Sequence, residues 1–285
     1  MITSQVRSLV LTLAGALCLT AALNAQGPRG GPPPAQGGRG SAPPANATAA
    51  APKDFTGQWM SIVTEDWRYR MITPKKGDYA GVPLNPDGRK LADNWDPAKD
   101  EAADEQCKAY GAAGVLRMPG RIRISWADDD TLKVETDAGI QTRMFFFKEP
   151  KAKGGDWQGI SQAEWETIGG TGGQGGQGFG GGPGGAAQEP GGRGGQGGPV
   201  FSGAIKVVTT KMKPGYLRRN GVPYSDKAVI TEYLDRTDEP NGESWLVVKT
   251  IVEDPTYLGQ PFIVSSHFKK QNDQSGWTPT PCSAR

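Results

Sequence analysis

The chain has 285 residues, with 32 basic and 30 acidic side chains and a net charge of +2. The two signs are interspersed, so no global field draws it to an anionic membrane, and nucleic acid is set aside as a partner. Glycine (42) is abundant but concentrated in two tracts, and what lies outside them is long enough to bury one core.

Arg7 leads into an apolar stretch from Leu9 to Leu23 that closes on Leu23-Asn24-Ala25. This pattern predicts a secretory signal peptide over residues 1–25, cleaved after Ala25. About 15 apolar residues are too few to cross a bilayer, so no integral membrane segment is expected after cleavage. Cys18 sits inside the apolar core behind Gly15-Ala16-Leu17, which argues against lipidation. The expected location is periplasmic or secreted.

Residues 26–52 are rich in Gly, Pro and Ala and predict a disordered leader. Residues 53–285 read as one domain, interrupted at 169–198 by a tract with 18 glycines in 30 residues, expected to be disordered.

Within the domain the hydrophobic period is 2. Phe55 to Val63 opens the series. Asn85-Pro86 and Asp96-Pro97 each pair a capping side chain with proline at the first helical position, predicting short helices over Pro86–Asn94 and Pro97–Ala109. Arg121 to Trp126 alternates, turns at Asp128-Asp129-Asp130, and alternates again from Thr131 to Thr136 as a hairpin. Ile140–Phe147, Trp157–Glu166, Ala204–Thr210, Ala228–Asp235, Trp245–Glu253 and Pro261–Lys269 read as further strands. The glycine tract then becomes an expanded hairpin loop. The fold class is mainly β: an antiparallel, lipocalin-like β-barrel or strongly curved sheet of about 8–10 strands with two short helices.

Cys107 and Cys282 remain once the signal leaves, and two cysteines in an oxidising compartment most often form one disulfide. A two-thiolate metal site is the alternative, but His267 is the single histidine, so no metal ligand set is assigned. The acids of Asp128-Asp129-Asp130 lack the alternating spacing and distal Glu of a calcium loop, and no cofactor is implied.

His267 shares a strand face with Ile263 and Ser265. Glu232 shares one with Ile230 and Leu234, which aims a carboxylate at an apolar side and requires a partner or a shifted pKa. Arg121, Arg123, Arg68 and Arg70 are the candidate partners. Trp59, Trp67, Tyr69, Trp157, Trp165 and Trp245 are placed on strands, where inward-facing rings either fill a core or line a cavity.

Asp54-Phe55-Thr56-Gly57-Gln58-Trp59 resembles the Gly-x-Trp opening of lipocalin-type barrels, in which the Trp closes one end. A second resemblance runs through Pro83-Leu84-Asn85-Pro86-Asp87-Gly88-Arg89, Trp95-Asp96-Pro97, Cys107, Asn220-Gly221-Val222-Pro223-Tyr224-Ser225 and Ile251-Val252-Glu253-Asp254-Pro255, to a final Cys. These segments are similar, in order, to a family of exported bacterial proteins of unknown function. The chain departs from that pattern in its Gly insert and in Tyr224 at a position where His is expected. The family implies a fold and no activity.

The expectation is an extracytoplasmic barrel that binds a small, partly apolar ligand in its interior, with Glu232, Arg68, Arg123, Trp59, Tyr224 and His267 as ligand-binding residues. A secreted enzyme using Glu232 and Tyr224 as acid and base is the alternative, and an envelope structural or interaction protein is the third reading. Oligomeric state is left open.

Overall fold

A computed structural model describes residues 44–168 and 200–284. The expected signal peptide, most of the expected leader and the glycine tract at 169–198 lie outside them.

The described chain is mainly β and closes a nine-strand barrel. Its strands are β1 (Gly57–Ile62), β2 (Arg121–Asp128), β3 (Thr131–Thr136), β4 (Gln141–Phe146), β5 (Ile160–Ile168), β6 (Val200–Thr210), β9 (Val229–Asp238), β10 (Ser244–Glu253) and β11 (Phe262–Gln271). A separate hairpin of β7 (Gly215–Arg218) and β8 (Val222–Tyr224) interrupts the connection from β6 to β9. Around the barrel the order is β1-β11-β10-β9-β6-β5-β4-β3-β2. Alternation sets which face is buried: Ile230, Glu232 and Leu234 are each at most 1% exposed, while their neighbours are only partly covered.

The barrel is mixed rather than wholly antiparallel. β4 and β5 pair in parallel, Phe145 with Ser161 and Phe146 with Gln162. A parallel pair requires the chain to return the length of a strand before re-entering the sheet, and residues 147–159 make that return. Trp157, expected on a strand, therefore lies in the crossover, and β5 begins only after Gly159, whose φ of +61° favours glycine. The β5–β6 pair is antiparallel, with Ile168 opposite Val200, so the glycine tract joins two hairpin strands as expected.

Two apolar clusters fill the barrel. One contains Trp59, Ile124, Leu132, Phe145, Ile205, Leu234, Leu246 and Phe268. At its end, Phe55, Trp126, Phe147 and Trp165 stack with ring centroids 4.9–6.5 Å apart. The helical turn α1 (Ala47–Ala50) docks on them: the Ala47 amide donates to Asp130 Oδ1 (2.8 Å), and Trp165 Nε1 donates to the Ala47 carbonyl (3.1 Å). Residues 44–52, expected in a disordered leader, thus belong to the fold. The acidic turn 128–130 is occupied likewise, with Asp128 paired to Lys151 and Asp130 to Lys148.

The second cluster covers the opposite end. It joins Tyr79, Val82, Ala92, Ala112 and Ala113 from the β1–β2 excursion to Met212, Leu217, Val222 and Tyr224 from the β6–β9 excursion, and to Leu258. The first excursion carries α2 (Trp67–Arg70), α3 (Pro86–Asp93), α4 (Pro97–Ala102) and two 3₁₀ turns, Lys108–Tyr110 and Val115–Arg117. Trp67, Arg68, Tyr69 and Arg70, expected on a strand, form the helical turn α2 instead. The caps of α3 and α4 match the sequence reading: Asn85 accepts from the Gly88 amide and Asp96 from the Ala98 amide. α4 ends at Ala102 rather than Ala109, because Asp104 adopts φ +54° and breaks the helix. Cys107 and Cys282 form a disulfide with Cα atoms 5.0 Å apart, tying this excursion to the C-terminal segment.

Candidate functional site

Between the two clusters lies a layer of polar side chains. Glu232, fully buried, accepts from Arg143 Nη1 (3.0 Å) and Nη2 (2.6 Å). Arg143 Nη2 also reaches Thr209 (3.1 Å), which bonds Ser161 (2.8 Å). The partner of Glu232 is therefore Arg143 and none of Arg68, Arg70, Arg121 or Arg123. Both side chains are 1% exposed. The bidentate guanidinium occupies both carboxylate oxygens, so Glu232 is committed to this buried pair rather than facing an open ligand space. A sequence signal existed: Arg143 alternates with Phe145 on the strand read over Ile140–Phe147.

The other expected residues separate. Arg68 is on the surface, paired with Asp78 at 2.5 Å. Arg123 lies on the outer barrel face, bonded to Gln58 and stacked over Trp277 at 4.1 Å. His267, half-buried, sits opposite Ile62, with Nδ1 2.9 Å from Thr64 Oγ1 and 3.3 Å from Glu65 Oε2. Trp59 is fully buried in the first cluster and donates to the Phe55 carbonyl at 3.0 Å.

Tyr224 leads elsewhere. Its ring belongs to the second cluster, and its hydroxyl packs onto two glycines. A Cβ built on Gly111 or Gly215 would lie 2.4 or 2.6 Å from that oxygen. Tyr224 lines a cleft of about 300 Å³ between the helices α3–α4 and the β7–β8 hairpin. Trp95, Tyr216, Tyr257 and Pro223 form its walls, and Asp100 and Lys108 its polar side. Trp95 is held there by the tight turn at Asn220-Gly221. Gly221 has φ +81°, and a Cβ there would fall 2.1 Å from the Trp95 ring.

Asp100, 5% exposed, is the hub of the polar side. It accepts from Lys108 Nζ (2.7 Å) and from the Tyr216 hydroxyl (2.9 Å). Lys108 also meets Glu105 at 2.6 Å, and Lys213 meets Glu105 at 2.9 Å. Burial and the bond to Asp100 push the Tyr216 pKa up, so the phenol stays protonated. Burial works to lower the Lys108 pKa, but the bonds to Asp100 and Glu105 outweigh it and raise the value, which keeps the ammonium charged. Burial likewise raises Tyr224. The hydroxyl of Tyr224 and the indole Nε1 of Trp95 are both buried without a hydrogen-bond partner among the described residues.

The arrangement can bind. It offers aromatic walls, a fixed carboxylate, a fixed ammonium and two polar atoms left without partners. Of the expected residues, only Tyr224 reaches it. Asp100, Lys108 and Tyr216 carry no site reading in the sequence, and Trp95 enters it only within the Trp95-Asp96-Pro97 segment of the resemblance, because no spacing links residues 95–108 to 214–224 as one site. Among the described residues, no group of three or more His, Cys, Asp or Glu side chains could hold a metal ion, and no helix is long and apolar enough to cross a membrane. No family model, no curated protein and no solved structure matches the chain.

Proposed function

We propose that this is an exported β-barrel that holds a small, partly apolar ligand in the flank cleft between α3–α4 and the β7–β8 hairpin. One observation carries the reading: an aromatic-walled cleft of about 300 Å³ lined by Trp95 and Tyr224, whose Nε1 and hydroxyl are buried and unbonded among the described residues. Buried polar groups without partners are rare, and at a cleft they are the donors a ligand acceptor completes. The volume sits at the lower end for small-molecule sites. The ligand class is therefore a ring-sized molecule with one apolar face and two or three hydrogen-bonding groups. The barrel interior is the weaker location, since Glu232, its best polar residue, is committed to Arg143.

Export rests on the signal-like segment Leu9–Ala25 and on the Cys107–Cys282 disulfide, which suits a periplasmic or secreted setting. Native mass spectrometry of protein recovered from its own envelope tests both parts. The expected mass begins at Gln26 and carries a non-covalent adduct that Tyr216→Ala loses while keeping its circular dichroism spectrum. An unprocessed chain removes the export reading. An adduct retained equally by Tyr216→Ala removes the cleft.

A further inference from the structure

Four arginines converge beside α2, away from the cleft. Arg70 on α2, Arg117 at the end of the second 3₁₀ turn, Arg218 at the end of β7 and Arg219 just after it surround a small cavity of about 20 Å³ together with Tyr69. Arg70, Arg117 and Arg218 are 3%, 6% and 4% exposed. Charged side chains are rarely buried unless paired, and here the pairing is incomplete.

Arg70 meets Glu65 at 2.6 Å, and its Nε donates to the Arg117 carbonyl at 2.9 Å. Arg117 Nη2 meets Asp66 at 2.9 Å. Arg218 has no carboxylate within ion-pair distance among the described residues: Nη1 donates to the Ala80 carbonyl at 2.8 Å, and the group stacks over Tyr69 at 4.1 Å. Among the described residues Arg219 reaches only the Arg70 carbonyl, at 3.3 Å. Four guanidiniums thus face two directly paired carboxylates. Two buried N–H groups, Arg117 Nη1 and Arg218 Nε, make no hydrogen bond among the described residues.

We infer that this cluster is a binding site for an oxyanion group: a phosphate, sulfate or carboxylate. Guanidinium forks match the geometry of such oxygens, and an uncompensated buried cation favours a counter-charge. Burial and the repulsion from Arg117 lower the pKa values of Arg70 and Arg218 against the attraction of Glu65 and Asp66 for the first and of Asp66 and Asp78 for the second, and a bound anion adds to that attraction. A cavity this small admits the leading oxygens of a ligand and not its body. The group is therefore either a free ion or the end of a larger molecule. The turn that carries Arg70 also exposes Trp67, Met71 and Ile72, by 64%, 55% and 62%, so an anionic lipid headgroup is the second source to be distinguished.

The test uses the full chain at matched ionic strength in sodium chloride. Thermal melts and isothermal titration with sodium sulfate, phosphate and acetate read the free-ion arm. Co-sedimentation with phosphatidylglycerol against phosphatidylcholine vesicles reads the headgroup arm. Saturable binding is expected in at least one arm, weakened about tenfold by Arg219→Gln, in line with loss of a charged hydrogen bond. Arg218→Gln should abolish it. Arg219 is half-buried with a single weak bond, so R219Q keeps the unliganded melting temperature and guards against a folding artefact. A response to free ions identifies a free oxyanion; an arginine-dependent response to phosphatidylglycerol alone identifies the headgroup. No saturable binding in either arm, or binding that neither substitution changes, overturns the site.

Discussion

Replacing Glu232 with Gln removes the negative charge from a pair whose two side chains are each 1% exposed. The Arg143 guanidinium then stays inside the barrel with an amide oxygen, Thr209, Ser161 and the Phe145 ring face as its partners among the described residues. Breaking one side of a buried pair costs about 3–5 kcal/mol. At roughly 2–4 °C per kcal/mol for domains of 150–250 residues, the melting temperature should fall by about 6–20 °C. Urea unfolding followed by tryptophan fluorescence reads the loss as a lower midpoint at unchanged slope. The double variant Glu232→Leu/Arg143→Met removes both charges and leaves Thr209 and Ser161 bonded to each other at 2.8 Å. It should recover most of the stability, because a well-packed apolar replacement of a buried pair is often neutral or better. A Glu232→Gln variant within about 1 kcal/mol of the parent, the ordinary size of one neutral hydrogen bond, would show that the carboxylate carries no special burden.

Three further outcomes follow from the same geometry. The Cys107–Cys282 bridge spans a sequence separation of 175, so Cys107→Ala/Cys282→Ala should cost about 2–4 kcal/mol, and thiol labelling of the oxidised, unfolded parent should find neither cysteine reactive; two labelled cysteines refute the bridge. On the alkaline side, the folded-state pKa values of Tyr79, Tyr216 and Tyr224 lie above the ordinary 10.0, and that of Lys108 lies above 10.5, so the fold favours their protonated forms. Their stabilisation is complete below those ordinary values and is lost as pH rises through the higher folded ones; an absorbance titration should show these tyrosines ionising only as the protein unfolds, and a full ordinary titration with the fold intact contradicts it. Replacing residues 169–198 with a four-residue turn should leave the melting temperature unchanged or slightly raised, because Ile168 and Val200 are already antiparallel partners; a cooperative loss of structure would mean that the tract packs on the barrel.

The barrel was legible because period-2 alternation is a property of each strand alone. Arg121 to Trp126, Thr131 to Thr136 and Ala228 to Asp235 all show it, and the strand edges fell within a few residues. The β4–β5 parallel pair was not legible. Nothing in residues 147–159 distinguishes a return crossover from a wide hairpin loop. Asp96-Pro97 marked where a helix starts, whereas its end depended on the backbone of Asp104, which composition does not specify. For the candidate site, Tyr224 was reached and the others were missed. The cleft is assembled from segments more than a hundred residues apart, Asp100 and Tyr216, joined only by the closure of the sheet. Alternation puts Glu232 on the buried face of its strand and Arg143 on the buried face of β4, but nothing in the spacing pairs the two.

The central claim is that a ligand occupies the flank cleft and not the barrel interior, and two tryptophans report on those places separately. Fluorine NMR of 5-fluorotryptophan-labelled protein, assigned through Trp95→Phe and Trp59→Phe, compares the envelope-purified protein with the same sample after unfolding in urea, dialysis and refolding. Removal of a cleft ligand should shift the Trp95 resonance and leave that of Trp59, sealed at 0% exposure in the barrel, in place. A shift at Trp59 with Trp95 unmoved would return the ligand to the barrel interior and contradict the account.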